Sequence, residues 1–78
     1  MEFRSMPYTL KNSRIILIGS RIRKKRISKG WTMMDLAFEA GVDNRQLGRI
    51  ERGENNFTII SLLRITDALG CHIRDVIK

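Results

Sequence analysis

The sequence predicts an all-α domain of five short helices. Hydrophobic residues make up 42% of it but aromatic residues only 6%, a balance that suits a helical bundle packed with Ile and Leu over a β-sandwich. Apolar residues recur at steps of three and four, the period of an amphipathic helix. Most of these stretches open at a capping residue or stop at a glycine. A chain of 78 residues holds one domain and one small core, which leaves little room for a buried multi-residue active site.

Residues 1–12 read as a terminal arm. They contain the only proline, Pro7, among polar and basic neighbours and show no helical period. Such an arm either frays or touches a partner through Arg4, Lys11 or Arg14. The domain proper spans residues 13–78. Its first helix is expected from about Ser13 to Lys29, with Ile15, Ile18 and Ile22 as the apolar stripe and Gly30 as the stop. Thr32 begins the second, with Asp35 completing a capping box and Trp31 placed to pack back as a staple. Leu36, Ala37 and Ala40 form its inner face, and Gly41 ends it. Asp43 caps the third helix, with Gln46 at the capping-box position, Leu47 and Ile50 pointing inward and Gly53 as the stop. Thr58 caps the fourth, which carries Leu62, Ile65 and Leu69 and ends at Gly70. A short fifth turn, about His72 to Ile77, closes the fold.

The formal net charge is +7, from 15 basic and 8 acidic residues. It is unevenly placed. Residues 1–30 hold nine basic residues (Arg4, Lys11, Arg14, Arg21, Arg23, Lys24, Lys25, Arg26, Lys29) against the single acid Glu2. The remainder is nearly neutral. A concentrated positive surface suits phosphate contact, because neutralised phosphates release counterions; it also suits plain solvation. One cysteine, Cys71, excludes an intramolecular disulfide, and one histidine, His72, leaves no metal cluster or catalytic triad. The expectation is therefore no enzyme, no metal and no cofactor. The run Ile15–Ile18 is too short for a membrane span or a signal-peptide core, so the expected location is the cytoplasm, at the nucleoid.

The second and third helices, joined by Gly41, Val42 and Asp43, meet several demands at once. A small Ala37 suits a close helix crossing, Gly41 suits a turn needing positive φ, and Val42 pins the turn to the core. Leu47 and Ile50 supply an inward pair. Asn44, Arg45, Gln46 and Arg49 leave a polar outer face able to reach base edges. Together in one register these features point to a helix-turn-helix.

Gly19-Ser-Arg-Ile-Arg-Lys-Lys-Arg26, Gly30-Trp-Thr, Leu36-Ala37, Gly41-Val42, Ile50-Glu-Arg-Gly53 and Leu69-Gly70 resemble the lambda-repressor-like, or XRE-type, helix-turn-helix proteins. The resemblance runs from about Ile18 to Ile77. It implies a five-helix domain that binds DNA as a symmetric dimer and regulates transcription. The loop Glu54-Asn-Asn-Phe-Thr58 is also similar to that of controller proteins of restriction-modification systems.

By position, the resemblance makes Asn44, Arg45, Gln46 and Arg49 the base contacts, in a recognition helix of about residues 44–52. Asn and Gln pair with adenine and Arg with guanine, while Arg45 and Arg49 are candidates for phosphate contact as well. It makes Arg23, Thr32, Met33 and Arg52 the backbone contacts. The family often has Gln where this chain has Met33, leaving phosphate there to a backbone amide. The resemblance also implies an Arg26–Glu51 salt bridge tying the recognition helix to the first helix. Gly48, inside that helix, reads either as room for close approach to DNA or as a tolerated surface position. Phe57, Ile60 and Ile73 stand near family positions that are often polar or proline, and are candidates for a dimer face or for ordinary core edge.

The reading is a sequence-specific transcriptional regulator, dimeric on a roughly palindromic operator in double-stranded DNA, with recognition helices about 34 Å apart. Its rivals are a controller protein, the antitoxin of a toxin–antitoxin pair with a further protein partner, and a protein-interaction module that binds no DNA.

Overall fold

The computed structural model describes residues 13–54 and 57–78, so the expected arm of residues 1–12 lies outside the described residues. Five helices and no strand occur among the described residues: α1 (Ser13–Ser28), α2 (Met33–Ala40), α3 (Asn44–Glu51), α4 (Ile59–Leu69) and α5 (Arg74–Ile77). The all-α, five-helix architecture expected from the sequence is the one observed.

The caps are local and explain where the helices start. Thr32 Oγ1 accepts from the Asp35 amide at 3.1 Å while the Thr32 amide donates to Asp35 Oδ2 at 2.8 Å, closing a capping box. Asp43 Oδ2 accepts from the Gln46 amide at 3.1 Å, and Thr58 Oγ1 from the Ser61 amide at 3.0 Å. α2 stops because Gly41 takes φ 69°, ψ 33°, a left-handed conformation that turns the Val42 amide back to the Ala37 carbonyl at 3.0 Å. α5 opens without a side-chain cap: His72 is an exposed surface residue, and its amide donates to Asp75 Oδ2 at 3.0 Å.

Ile22, Leu36, Leu47, Ile50, Leu62, Ile65 and Val76 are fully buried and come from all five helices. Burying a side chain of this size contributes about 1.5–3 kcal/mol relative to leaving it exposed. Ile18, Trp31, Met33, Val42 and Cys71 pack against this cluster from its rim. Thr66 is the buried hydroxyl, and it bonds back to the Leu62 carbonyl at 3.1 Å, so its polar atom carries little desolvation cost. Arg21 Nη1 donates to the Val76 carbonyl at 3.2 Å and to that of Lys78, which fastens α5 to α1.

α1 and α3 pack through Gly19. A Cβ at this position would lie 2.1 Å from the Ile50 carbonyl oxygen and 2.9 Å from that of Glu51. Only glycine lets the two backbones approach this closely. The crossing fixes α3 against the basic helix, and so sets the direction in which its outer face looks.

Candidate nucleic-acid interface

α3 is anchored from beneath. Leu47 and Ile50 have no exposed surface. At its end Glu51 accepts from Arg26 Nε at 2.8 Å and from Arg26 Nη2 at 3.0 Å, while Arg26 Nη1 donates to the Trp31 carbonyl at 2.8 Å. The hydrogen bonds that Arg26 donates to Glu51 push its guanidinium above its ordinary pKa against the opposing effect of burial, so the group stays charged. One guanidinium thus joins α1, the last turn of α3 and the segment leading into α2. Lys29 stacks over the Trp31 ring, 4.8 Å from its centre, beside the same junction.

With that side fixed, the outer face of α3 presents Asn44, Arg45 and Arg49 to solvent, and Gln46 half-buried. Arg45 and Arg49 stand four residues apart, on one face of the helix. These are hydrogen-bonding side chains on a helix packed from beneath, the arrangement that base-edge readout needs. Arg23 is exposed on α1. Thr32 is exposed at the start of α2 with its hydroxyl engaged in the cap, and Met33 is half-buried against the core.

Arg52 is not a free cation. Its Nε donates to Glu54 Oε2 at 2.7 Å and its Nη2 to Glu54 Oε1 at 3.3 Å, with both side chains a little over half exposed. The pairing raises the arginine's pKa and holds the Glu54 carboxyl below the usual carboxylate range, with the charges of Arg52 and Arg49 adding to the effect. Nη1 of Arg52 lies 3.2 Å from where a Cβ of Gly48 would be, and the Met33 thioether approaches the same point to 3.7 Å. Gly48 is therefore neither an open contact surface nor a neutral exposed position. It is buried beneath Arg52 and beside Met33 because the start of α2 and the end of α3 converge there.

The dimer-face candidates separate. Phe57 and Ile73 are half-buried and pack on their own core, whereas Ile60 is 64% exposed. Sequence reasoning missed the neighbours of Ile60: Ile59 and Leu63 are 62% and 41% exposed and stand one and three residues away on α4. It also missed the Arg52–Glu54 pair and the role of Gly19. For Gly19 a signal was available, since it falls on the stripe of Ile15, Ile18 and Ile22. No helix among the described residues is long and apolar enough to cross a membrane.

Comparison with known proteins adds to this geometry. Residues 22–76 match the helix-turn-helix family. An uncharacterised HTH-type transcriptional regulator, y4dJ of Sinorhizobium fredii, is 35% identical over 54 residues, covering 69% of this chain and 70% of that one. The crystal structure of the restriction-modification controller protein C.AhdI from Aeromonas hydrophila superposes with a TM-score of 0.79 at 31% identity, covering 82% of this chain and 97% of that chain. The master regulator for biofilm formation SinR, solved in complex with DNA, superposes with a TM-score of 0.74 at 32% identity, over 78% and 98% of the two chains.

Proposed function

This chain belongs to the helix-turn-helix family of DNA-binding transcriptional regulators, and we propose that it acts as a dimer on a roughly two-fold symmetric operator, in the cytoplasm at the nucleoid. The observation that carries the proposal is the outer face of α3, where exposed Asn44, Arg45 and Arg49 stand on a helix whose other side is fully buried. In this reading these three and Gln46 meet base edges in the major groove. Arg23, Thr32, Met33 and Arg52 meet the backbone, Met33 through its amide. The buried Arg26–Glu51 pair keeps α3 at the angle the groove requires.

Two recognition helices must be held roughly 34 Å apart to enter successive major grooves. Ile60, with Ile59 and Leu63 beside it, is the apolar surface we assign to that dimer contact. Phe57 and Ile73 support it from the core edge. Ile60→Asp is then expected to yield a monomer of unchanged fold in analytical ultracentrifugation at micromolar concentration; a dimer that survives this change argues against the assignment.

The test of the whole reading is selection of fragmented genomic DNA on the purified protein, with the bound fragments sequenced. A shared two-fold motif is the expected result. Enrichment without a motif would leave only a non-specific basic binder. Coverage of nearly all of C.AhdI favours one more specific reading, a controller protein. It predicts that the selected motif lies upstream of restriction-modification genes, and a motif placed elsewhere rejects it.

A further inference from the structure

Resting on the reading that α3 faces DNA, we propose that Glu54 is an internal stand-in for a DNA phosphate, a latch on Arg52 that a duplex must displace. The observation is a juxtaposition of three residues. Arg52 reaches back along α3, its Nη1 over the bare backbone of Gly48 beside the Met33 thioether, and its Nε and Nη2 grip the Glu54 carboxylate. A guanidinium fork takes a carboxylate and a phosphate in the same way, through two parallel N–H donors on two anionic oxygens. The Nε–Nη2 edge that grips Glu54 cannot hold a phosphate at the same time, and Nη1 is turned toward Gly48 and Met33.

The seat explains why the arginine lies where it does. A side chain at position 48 would stand within 3.2 Å of Nη1, so the glycine leaves the space that the guanidinium occupies. Met33, at the first turn of α2, offers an apolar wall with no strong donor or acceptor of its own. Arg52 places its charge at this corner between α2 and α3, and Glu54 holds it in place before any ligand arrives.

Glu54 therefore does two opposing things. It orders a flexible side chain at the surface where a phosphate would bind, and it places a negative charge on that surface, within the field of Arg49 as well as Arg52. A duplex that approaches must break the Arg52–Glu54 pair and then lie beside a freed carboxylate. That cost falls on any sequence alike, so the latch lowers the affinity of a strongly basic chain for DNA in general.

The test is a double-mutant cycle on the full chain, read as binding to a labelled mixed-sequence duplex about two helical turns long at fixed low salt. Glu54→Gln keeps the shape of the side chain and removes its charge. It is expected to tighten binding a few-fold when Arg52 is present, and to do little in an Arg52→Met background. Equal tightening in both backgrounds would reduce Glu54 to one more surface charge and overturn the latch; so would no change in either. Both side chains are exposed, and circular-dichroism melts that coincide with the wild type confirm that the variants are folded. Wild-type protein without salt-sensitive binding to the duplex would overturn the DNA reading itself, and the latch with it.

Discussion

Arg26 and Glu51 face each other through two parallel hydrogen bonds of 2.8 and 3.0 Å, with their side chains only 11% and 4% exposed. Removing one member leaves the other charged and largely out of water. Glu51→Ala is therefore expected to lower the unfolding free energy by about 3 kcal/mol, measured by urea denaturation. Replacing both residues with apolar ones of similar volume is expected to recover part of the loss, because no orphan charge then remains. An unchanged midpoint for Glu51→Ala would show that the pair contributes nothing.

Two glycines on the same pair of helices should respond in opposite directions to alanine. At Gly19 the new Cβ would meet the Ile50 carbonyl, part of a helix that cannot step aside, so α1 and α3 must separate. A loss of about 3 kcal/mol is expected, at the upper end for overpacking. At Gly48 the neighbours are the tips of the flexible Arg52 and Met33 side chains, which can shift by a few tenths of an ångström. There the helix propensity of alanine dominates, and a gain of up to about 1 kcal/mol is expected. Paired thermal melts decide it; two losses of similar size would refute the distinction.

What the sequence made legible follows from the range of the interactions involved. The caps at Thr32, Asp43 and Thr58 join residues three apart, so a local pattern suffices to find them. The inward positions Leu36, Leu47, Ile50, Leu62 and Ile65 follow from periodicity alone. Gly48 was not legible, because its burial depends on where Met33, fifteen residues away, comes to lie against α3. Arg52 and Glu54 are close in the chain but meet across a turn, where no period says which way a side chain points. The outer face of α3 was legible as a surface; what Asn44, Arg45, Gln46 and Arg49 each touch depends on a partner that the chain's own packing does not specify.

Arg45 and Arg49 should be separable by the kind of binding they lose. An arginine that reads a guanine contributes roughly 1–3 kcal/mol of discrimination, and its loss relaxes preference at one position. One that holds a phosphate weakens binding to every sequence and reduces the salt slope by about 0.9 per contact. Arg45→Ala is expected to give the first result on the selected operator. A flattened salt slope with unchanged sequence preference would move Arg45 to the backbone set.

Cys71 should behave as a suppressed thiol. It is half-buried at the rim of the core, and that burial pushes its pKa upward; the Lys25 charge opposes the shift and the Asp75 charge adds to it. Since the thiolate is the reactive form, alkylation of the folded protein by iodoacetamide is expected to be slow near neutral pH, with a rate midpoint above that of an exposed cysteine. Unfolding in urea should bring the midpoint back down. The sign for stability follows. The folded thiol holds its proton to higher pH than the unfolded one, so its contribution is complete below the unfolded pKa and is lost as pH rises through the folded one. Mass-spectrometric alkylation rates across alkaline pH measure the shift directly. Equal midpoints in the folded and unfolded chain would mean that Cys71 meets water as freely as an exposed side chain, and that the turn after α4 opens from the core.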